Sequence, residues 1–210
     1  MLIFPINTFC QNINSYNIDA KLNSEDNTVT INQVMKFKNT SNTSLNKIVL
    51  EDWANSYINN RTSLAKRISD EYSRSFTFAN KKQRGSTLIE RITSDNIESW
   101  SKSNKTPDII YVYLKKELKK GESIEIEIDY KVKLPDSKFT GYGFDNNNNY
   151  YLKNWLIVFS NISGSEWYSQ SNLNLNDQSL KKSRYKMKFS FDKYYYLSSN
   201  LIINKTEIIL

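Results

Sequence analysis

The clearest pattern in the chain is a strict alternation of apolar and charged residues between Glu122 and Leu134. The apolar side chains share one parity: Ile124, Ile126, Ile128, Tyr130, Val132 and Leu134. The charged side chains occupy the other parity: Glu125, Glu127, Asp129, Lys131 and Lys133. Because successive side chains of a strand point to opposite faces, this pattern predicts a strand with one dry and one solvated face. Such a strand is typical of an antiparallel sheet, since parallel strands are usually buried on both faces.

Similar alternation recurs in shorter segments along the chain. Strands are predicted at residues 16–22, 29–37, 45–53, 87–92 and 185–191, with further strand signals at 76–78, 109–114 and 151–159. Gln33 is the one polar residue on the apolar parity of the second segment. Two alternating segments around a short polar turn are typical of a hairpin, so the first two strands should form an antiparallel pair.

One segment has helical rather than strand spacing. Leu64, Ile68 and Tyr72 recur four residues apart and predict the apolar stripe of an amphipathic helix. Thr62 or Ser63 precedes the stripe and can cap the helix. Together these patterns predict a mainly β fold: a large antiparallel, curved sheet or sandwich with one short helical insertion.

Two polar stretches show neither period. Residues 95–108 are expected to be irregular. Residues 139–149, FTGYGFDNNNN, are expected to form an exposed loop because glycines stand among aromatics before an asparagine tract. No repeat or linker divides the chain, so residues 12–210 are expected to form a single β-rich domain.

The first residues are apolar up to Gln11, as at the end of a secretory signal peptide that has lost its charged start. Residues 1–11 are therefore expected to be a signal-peptide remnant or a tail added by cloning. This segment is too short to span a membrane. The protein is accordingly expected to be exported, to the periplasm or the cell envelope.

The amino-acid composition excludes several kinds of catalytic site. The 210-residue chain contains no histidine and a single cysteine, Cys10. Without histidine the chain by itself cannot complete the usual zinc-hydrolase site, a Ser-His-Asp triad or a Cys-His pair. With one cysteine it cannot form an intrachain disulfide or a cysteine metal cluster.

The net charge of +7 is of the sign that nucleic acids and anionic surfaces attract. The basic residues, however, fall mainly in turns and on the solvated parity of strands. That distribution favours a role in solubility and in the protection of sheet edges. We therefore predict no nucleic-acid partner.

Two groups of acidic or amide side chains are candidates for a metal or catalytic site. Glu125, Glu127 and Asp129 share one face with the spacing of a hydrolase pair or a calcium ligand set, but a solvated face with basic neighbours across the sheet explains them better. Asp145 and the following asparagines lack the spaced carboxylates of a known calcium loop. The sequence therefore assigns no metal ligand and no catalytic residue.

A set of short motifs follows in a characteristic order along the chain. It comprises Trp53-Ala54-Asn55, Arg61-Thr62-Ser63-Leu64-Ala65-Lys66-Arg67, Arg84-Gly85-Ser86-Thr87, Pro107-Asp108-Ile109, Gly121-Glu122, Tyr130-Lys131-Val132-Lys133, Phe139-Thr140-Gly141-Tyr142-Gly143 and Trp155. Residues 51–92 resemble the N-terminal domain of bacterial zinc aminopeptidases, in the Bacteroidetes-type branch of the aminopeptidase N family of gluzincins. The family-like order persists over nearly the whole chain after about Asn14.

The resemblance implies a curved β-sheet domain that packs on a thermolysin-like catalytic domain of the same polypeptide. In the family, zinc is held by an HExxH helix and a distant glutamate of that catalytic domain. Zinc is therefore expected there, and no cofactor is expected in this chain. The expected partners are the catalytic domain and the peptide substrate of the parent enzyme. Residues 151–155 and 165–177 do not match the family's TQxE-like and PCFDEP-like segments, so no substrate-contact residue is carried over.

A scaffold domain of this kind should present an apolar docking surface. The expected contributors, facing the catalytic domain or the substrate, are aromatics that no strand pattern assigns to the core: Trp100, Tyr142, Phe144, Trp155 and Trp167. The alternative is a stand-alone exported β-sandwich that binds carbohydrate or protein through the loop at residues 139–151.

Overall fold

The computed structural model describes residues 13–71, 73–174 and 176–199. Within them, the longer strands are β1 Asn14–Asn23, β2 Thr28–Lys38, β3 Leu45–Glu51, β4 Ser86–Thr93, β5 Ile97–Lys102, β6 Ile109–Leu118, β7 Ser123–Lys133 and β13 Ser183–Ser190. The short strands are β8 Gly143–Phe144, β9 Tyr150–Tyr151, β10 Val158–Phe159, β11 Asn161–Ser163 and β12 Glu166–Tyr168. The helical elements are α1 Ser63–Asp70 and two 3₁₀ helices, Trp53–Tyr57 and Ser137–Phe139.

The strands form two larger sheets and two small hairpins. One sheet has the order β13-β1-β2-β7-β4 and the other the order β10-β3-β6-β5, while β8 pairs with β9 and β11 with β12. Apart from the parallel pair β1 and β13, every pairing of two named strands is antiparallel. One cluster of buried apolar side chains draws on both larger sheets. The predicted mainly β, antiparallel fold with one helical insertion is therefore confirmed.

Strand β7 is an interior strand of the larger sheet, between the central strand β2 and the edge strand β4. It pairs with β2 through eleven consecutive residue pairs, from Thr28 with Lys133 to Lys38 with Ser123. All its side chains of the predicted dry parity are buried, and those of the other parity are exposed or half-buried. The alternation seen in the sequence is therefore the alternation between the core and solvent.

Gln33, the polar residue on the apolar parity of β2, is fully buried. Its Nε2 donates to the carbonyl of Ile157 at 2.6 Å, and its Oε1 accepts from the hydroxyl of Tyr130 at 2.7 Å. The backbone N–H of Ile157 in turn donates to the Tyr130 hydroxyl at 3.3 Å. Because a buried amide needs such partners, this exception to the pattern fastens the irregular segment before β10 to the larger sheet.

Helix α1 begins where the sequence predicts. The side chain of Thr62 accepts a hydrogen bond from the backbone N–H of Ala65 at 3.2 Å and caps the helix. Leu64 and Ile68 are buried, as their spacing predicts. Tyr72, the third residue of the predicted stripe, lies outside the described residues.

Several local predictions are wrong. Residues 76–78 form a turn in which Phe76 is buried and Phe78 is 76% exposed, because no neighbouring strand among the described residues pairs with them. The strand predicted to reach Trp53 ends at Glu51, and Trp53 begins a 3₁₀ helix. Residues 151–159 contain only the short strands β9 and β10.

Two further departures involve β4 and β5. Strand β5 lies within the stretch predicted to be irregular, and it shows no alternation because it is an edge strand with four of its six residues exposed and none buried. In β4 the register against β7 shifts between Ile89 and Arg91. Thr87 and Ile92, which have opposite parity, are therefore both buried.

Two expectations concern the ends of the chain and membranes. The segment at residues 1–11 lies outside the described residues, so the signal-peptide interpretation stays a prediction. Within the described residues, no helix is both long and apolar enough to cross a membrane.

We expect the two faces of β7 to respond differently to substitution. Ile126→Asp puts an unpaired charge into the dry face and should lower the free energy of unfolding by about 3 kcal/mol or more. Glu125→Ser, one residue away on the exposed face, should change it by less than about 0.5 kcal/mol. Urea unfolding followed by circular dichroism measures both, and similar losses for the two variants would contradict the assigned faces.

Candidate functional site

The structure places the five aromatics of the predicted docking surface in different environments. Trp100 lies on the edge strand β5 and is 36% exposed. Phe144 and Trp167 are half-buried against the core. Tyr142 and Trp155 are buried, at 1% and 8% exposure. The five therefore do not form one exposed patch in this chain, and Trp100 is the member that lies at the surface.

Tyr142 is buried because the glycine-rich loop folds onto the sheet instead of extending into solvent. Gly143 has a φ of +120°, and a Cβ there would lie 1.8 Å from the carbonyl oxygen of Pro135. Only glycine permits this approach. The ring of Tyr142 consequently packs 5.4 Å from that of Tyr57, and burial raises the pKa of its hydroxyl well above the usual value. The predicted exposed loop is thus exposed at Gly141 and in its asparagine tract, whereas Tyr142 and Gly143 are buried.

Trp155 is buried by residues that are distant in sequence. Its ring lies 5.9 Å from that of Phe189, which is on the edge strand β13. Trp167 similarly packs 5.4 Å from Phe37 of β2. Neither contact has a local sequence signal, because each depends on where the last third of the chain returns to the sheet.

The 3₁₀ helix Trp53–Tyr57 holds several separate segments together through buried polar groups. Asn55 donates from Nδ2 to the carbonyl of Pro107 at 2.6 Å and accepts from the backbone N–H of Thr87 at 3.0 Å. Trp53 donates from Nε1 to the carbonyl of Gln170 at 2.7 Å. This helix contains the Trp-Ala-Asn motif of the resemblance, and the side chains of Trp53 and Asn55 form hydrogen bonds within the chain.

Three buried carboxylates surround this helix: Glu51, Asp52 and Asp108. We call them, with Asn55 and Thr87, the buried polar cluster. Burial raises the pKa of Asp52 to about 6, an effect opposed by the Lys102 ammonium 3.5 Å away and by the hydroxyl of Thr87 at 2.7 Å. Burial also raises the pKa of Glu51 and of Asp108.

The oxygens of the other two carboxylates also face protein donors. Glu51 accepts from the backbone of Gln170 and from the side chain of Gln178, at 3.1 and 3.3 Å. Asp108 accepts from the hydroxyl of Ser171 and from the backbone of Asn172, the latter at 2.7 Å. Carboxylates committed in this way do not fit a zinc site, which also requires convergent ligands. Among the described residues, no group of three metal-ligating side chains converges.

The solvent-exposed acids have internal partners as well. Asp129 pairs with Arg91 of the neighbouring strand at 2.6 Å and accepts from Asn32 at 2.7 Å, while Glu127 pairs with Arg91 at 3.1 Å. The interpretation of this face as solvated and balanced by a basic neighbour is confirmed. Asp145 accepts hydrogen bonds from the backbone and side chain of Asn149 and from the hydroxyl of Tyr151.

Exposed apolar side chains are concentrated in the last part of the described chain. Of the thirteen large hydrophobic residues that are exposed among the described residues, seven lie between positions 168 and 197. We call these seven the C-terminal apolar set: Tyr168, Leu173, Leu180, Tyr185, Tyr194, Tyr196 and Leu197. Tyr196 is fully exposed and Tyr194 is 78% exposed, so these side chains are available to a partner.

No protein-family model and no curated protein matches the sequence. The structure is similar to that of an M1 zinc metallopeptidase from Deinococcus radiodurans, with 10% identity and a TM-score of 0.37 over 59% of this chain and 20% of that one. A two-domain M1 zinc metallopeptidase bound to L-arginine gives 11% identity and a TM-score of 0.39, over 64% and 24% of the two chains. The chain spans about a fifth to a quarter of the metallopeptidases that it matches. A likeness this slight does not establish membership of their family.

The buried polar cluster makes stability depend on pH in a direction set by Asp52. Its pKa is about 6 in the folded state and 3.8 ordinarily, so between these values the folded state retains a proton that the unfolded chain has lost. The contribution of Asp52 to stability therefore falls as pH rises through this window. The free energy of unfolding of the unsubstituted protein should therefore fall relative to that of Asp52→Asn by about 2–3 kcal/mol when the pH is raised from 4 to 7.

Urea unfolding at several pH values measures this difference, and Asp129→Asn is the control of opposite sign. The hydrogen bond from Asn32 lowers the pKa of Asp129, and so does the neighbouring Arg91, so ionised Asp129 stabilises the fold. The free energy of unfolding of Asp129→Asn should therefore fall relative to that of the unsubstituted protein as pH rises. Parallel pH profiles for Asp52→Asn and the unsubstituted protein would show that Asp52 titrates normally.

Proposed function

We propose that this chain is a non-catalytic scaffold domain of a zinc aminopeptidase of the Bacteroidetes-type branch. It docks on the catalytic domain of the same polypeptide and walls the cavity that receives the peptide substrate. Zinc belongs to that catalytic domain, and this chain contributes no ligand to it.

The convergence of the motifs that carry the resemblance is the main support for this proposal. Asn55 of the first motif bonds the backbone of Thr87 in the Arg-Gly-Ser-Thr motif. A Cβ on Gly85 of that motif would lie 2.9 Å from the carbonyl oxygen of Lys133, at the end of the Tyr-Lys-Val-Lys motif. The hydroxyl of Tyr57 meets that of Thr140 in the Phe-Thr-Gly-Tyr-Gly motif at 2.6 Å. Three motifs that are separated in sequence are thus in contact, and a fourth contacts Tyr57 of the same 3₁₀ helix, as expected of residues that specify a fold.

The chemistry of that arrangement favours a structural role. Its polar atoms are mostly committed to internal hydrogen bonds, and its glycines permit close contacts between backbones. Residues that only specify the fold are expected in a non-catalytic domain that functions by binding a partner at its surface.

The C-terminal apolar set provides the surface on which the proposal relies. A contiguous patch of exposed apolar side chains commonly marks an interaction site, and the proposal requires that these residues meet in such a patch. Contacts between domains of one polypeptide commonly bury roughly 600–1,500 Å², an area that needs several such residues. We assign these residues to the contact with the catalytic domain.

The alternative of a stand-alone binding module relies on the hairpin of β8 and β9. Of its aromatics, Tyr151 is 45% exposed, whereas Phe144 and Tyr150 are half-buried and Tyr142 precedes the hairpin in the core. One exposed ring is a poor platform for carbohydrate, which favours the scaffold proposal.

We expect the docking to depend on the C-terminal apolar set. The test partner is the HExxH-containing segment that should follow in the same reading frame, expressed separately and titrated by calorimetry. The triple substitution Tyr194→Ser, Tyr196→Ser and Leu197→Ser removes exposed apolar contacts and should weaken binding at least about tenfold. Tyr151→Ser, a matched exposed aromatic on the hairpin, should leave binding unchanged.

The opposite ranking of these two variants would contradict the proposal and favour the binding module. A reading frame that lacks HExxH downstream would contradict it directly. Circular dichroism checks the folding of each variant, which substitutions at exposed positions should leave intact.

A further inference from the structure

A cleft of about 520 Å³ opens where the start of β4 meets the end of β7. Its polar lining comes from Asn80, Lys81, Arg84, Ser86 and Lys133. The buried polar cluster does not line it, and neither does the C-terminal apolar set. The cleft is therefore distinct from the features that support the scaffold role, and a ligand could bind in it whether or not the chain has that role.

Close backbone contact brings the basic residues of the cleft together. Gly85 lies so near β7 that an added Cβ would approach the carbonyl oxygen of Lys133 and the Cδ of Pro135, each at 2.9 Å. This contact sets Arg84 beside Lys133, whose Nζ donates to the backbone carbonyl of Lys81 at 2.5 Å. The turn that carries Lys81 is thereby held against the end of β7.

Among the described residues, no acidic side chain lines the cleft. Lys81, Arg84 and Lys133 take part in none of the ion pairs in this part of the chain. The nearby Asp136, whose backbone bonds that of Gln83, pairs instead with Lys138 at 3.1 Å. Three positive charges thus face one opening without a counter-charge from the described residues.

Arg84 is held in place and has donors to spare. Its guanidinium lies over the ring of Phe76, 5.6 Å from the centroid, and Nη2 donates to the carbonyl of Thr77 at 3.3 Å. Its Nε is buried and has no hydrogen-bond partner among the described residues. A guanidinium carries five N–H donors, and a buried donor without a partner is costly. With Nε closed to solvent and one Nη2 hydrogen used, three N–H donors of the guanidinium remain for the acceptor oxygens of a ligand.

We propose that the cleft is a binding site for an organic anion, which it grips through a carboxylate or phosphate group. The planar fork of Arg84 matches either group in a bidentate manner, and Lys81 and Lys133 add point charges. The volume is many times that of a single oxyanion, so the remainder of the ligand lies along Asn80 and Ser86.

The test is calorimetric titration of the whole chain with citrate and with inorganic pyrophosphate, at low and matched ionic strength. At least one probe should bind with a dissociation constant below about 1 mM, more weakly as salt rises. Tighter binding of citrate assigns carboxylate ligands, and tighter binding of pyrophosphate assigns phosphate ligands.

Variants locate the binding. Arg84→Gln should weaken it at least about tenfold, because a charge-assisted hydrogen bond is lost. Lys81→Gln should weaken it several-fold and should not disturb the fold, because the Lys81 side chain is exposed and its carbonyl is what bonds Lys133. Lys131→Gln is the matched control, two residues from Lys133 on the same face of β7 but outside the cleft, and should leave binding unchanged.

Two results would overturn the proposal. One is the absence of binding by both probes at about 1 mM. The other is an equal loss of affinity in Lys81→Gln and Lys131→Gln, which would mean that the probes respond to overall surface charge.

Discussion

The antiparallel pairing of β2 with β7 is the constraint on which the rest of the structure depends. Eleven consecutive residue pairs join two strands whose dry faces point the same way. A slip of one residue would move every side chain of a strand to the opposite face, so burial excludes such a slip. The hydrogen bond between Gln33 and Tyr130 also favours this register. Both polar groups are buried on the dry face, and they reach each other only when the strands pair as observed.

The position of β7 also determines where the other features lie. At its end, Lys133 and Pro135 receive the close approaches of Gly85 and Gly143. The first approach places Arg84 at the cleft, and the second folds Tyr142 into the core beside Tyr57. The basic cleft and the folded glycine-rich loop therefore both depend on the end of this one strand. The chain thus uses its polar residues to hold itself together, and in the proposed role it uses its exposed apolar residues to meet a partner.

Sequence reasoning predicted the elements whose burial is periodic. Strands β2 and β7 and helix α1 are of this kind, and the pairing of Asp129 with Arg91 follows from the solvated face of β7. It failed where burial depends on distant partners. Strand β5 has no dry face to produce a pattern, and Trp155 is covered by β13 from far along the chain. The burial of Glu51 and Asp52 was also missed, because acidic side chains are rarely fully buried and their partners lie far along the chain. A usable signal was the cluster of glycines around Tyr142, since glycine marks places where backbones approach closely.

The most direct test of the scaffold role is hydrogen exchange on the chain alone and on the chain joined to its catalytic segment, followed by mass spectrometry. Docking through the C-terminal apolar set predicts slower exchange in the segments that carry it, residues 168–197, when the catalytic segment is present. Exchange in the hairpin at residues 143–151 should stay unchanged. Slower exchange in the hairpin, with no change at residues 168–197, would contradict the scaffold role as proposed. It would show that the partner binds at the hairpin.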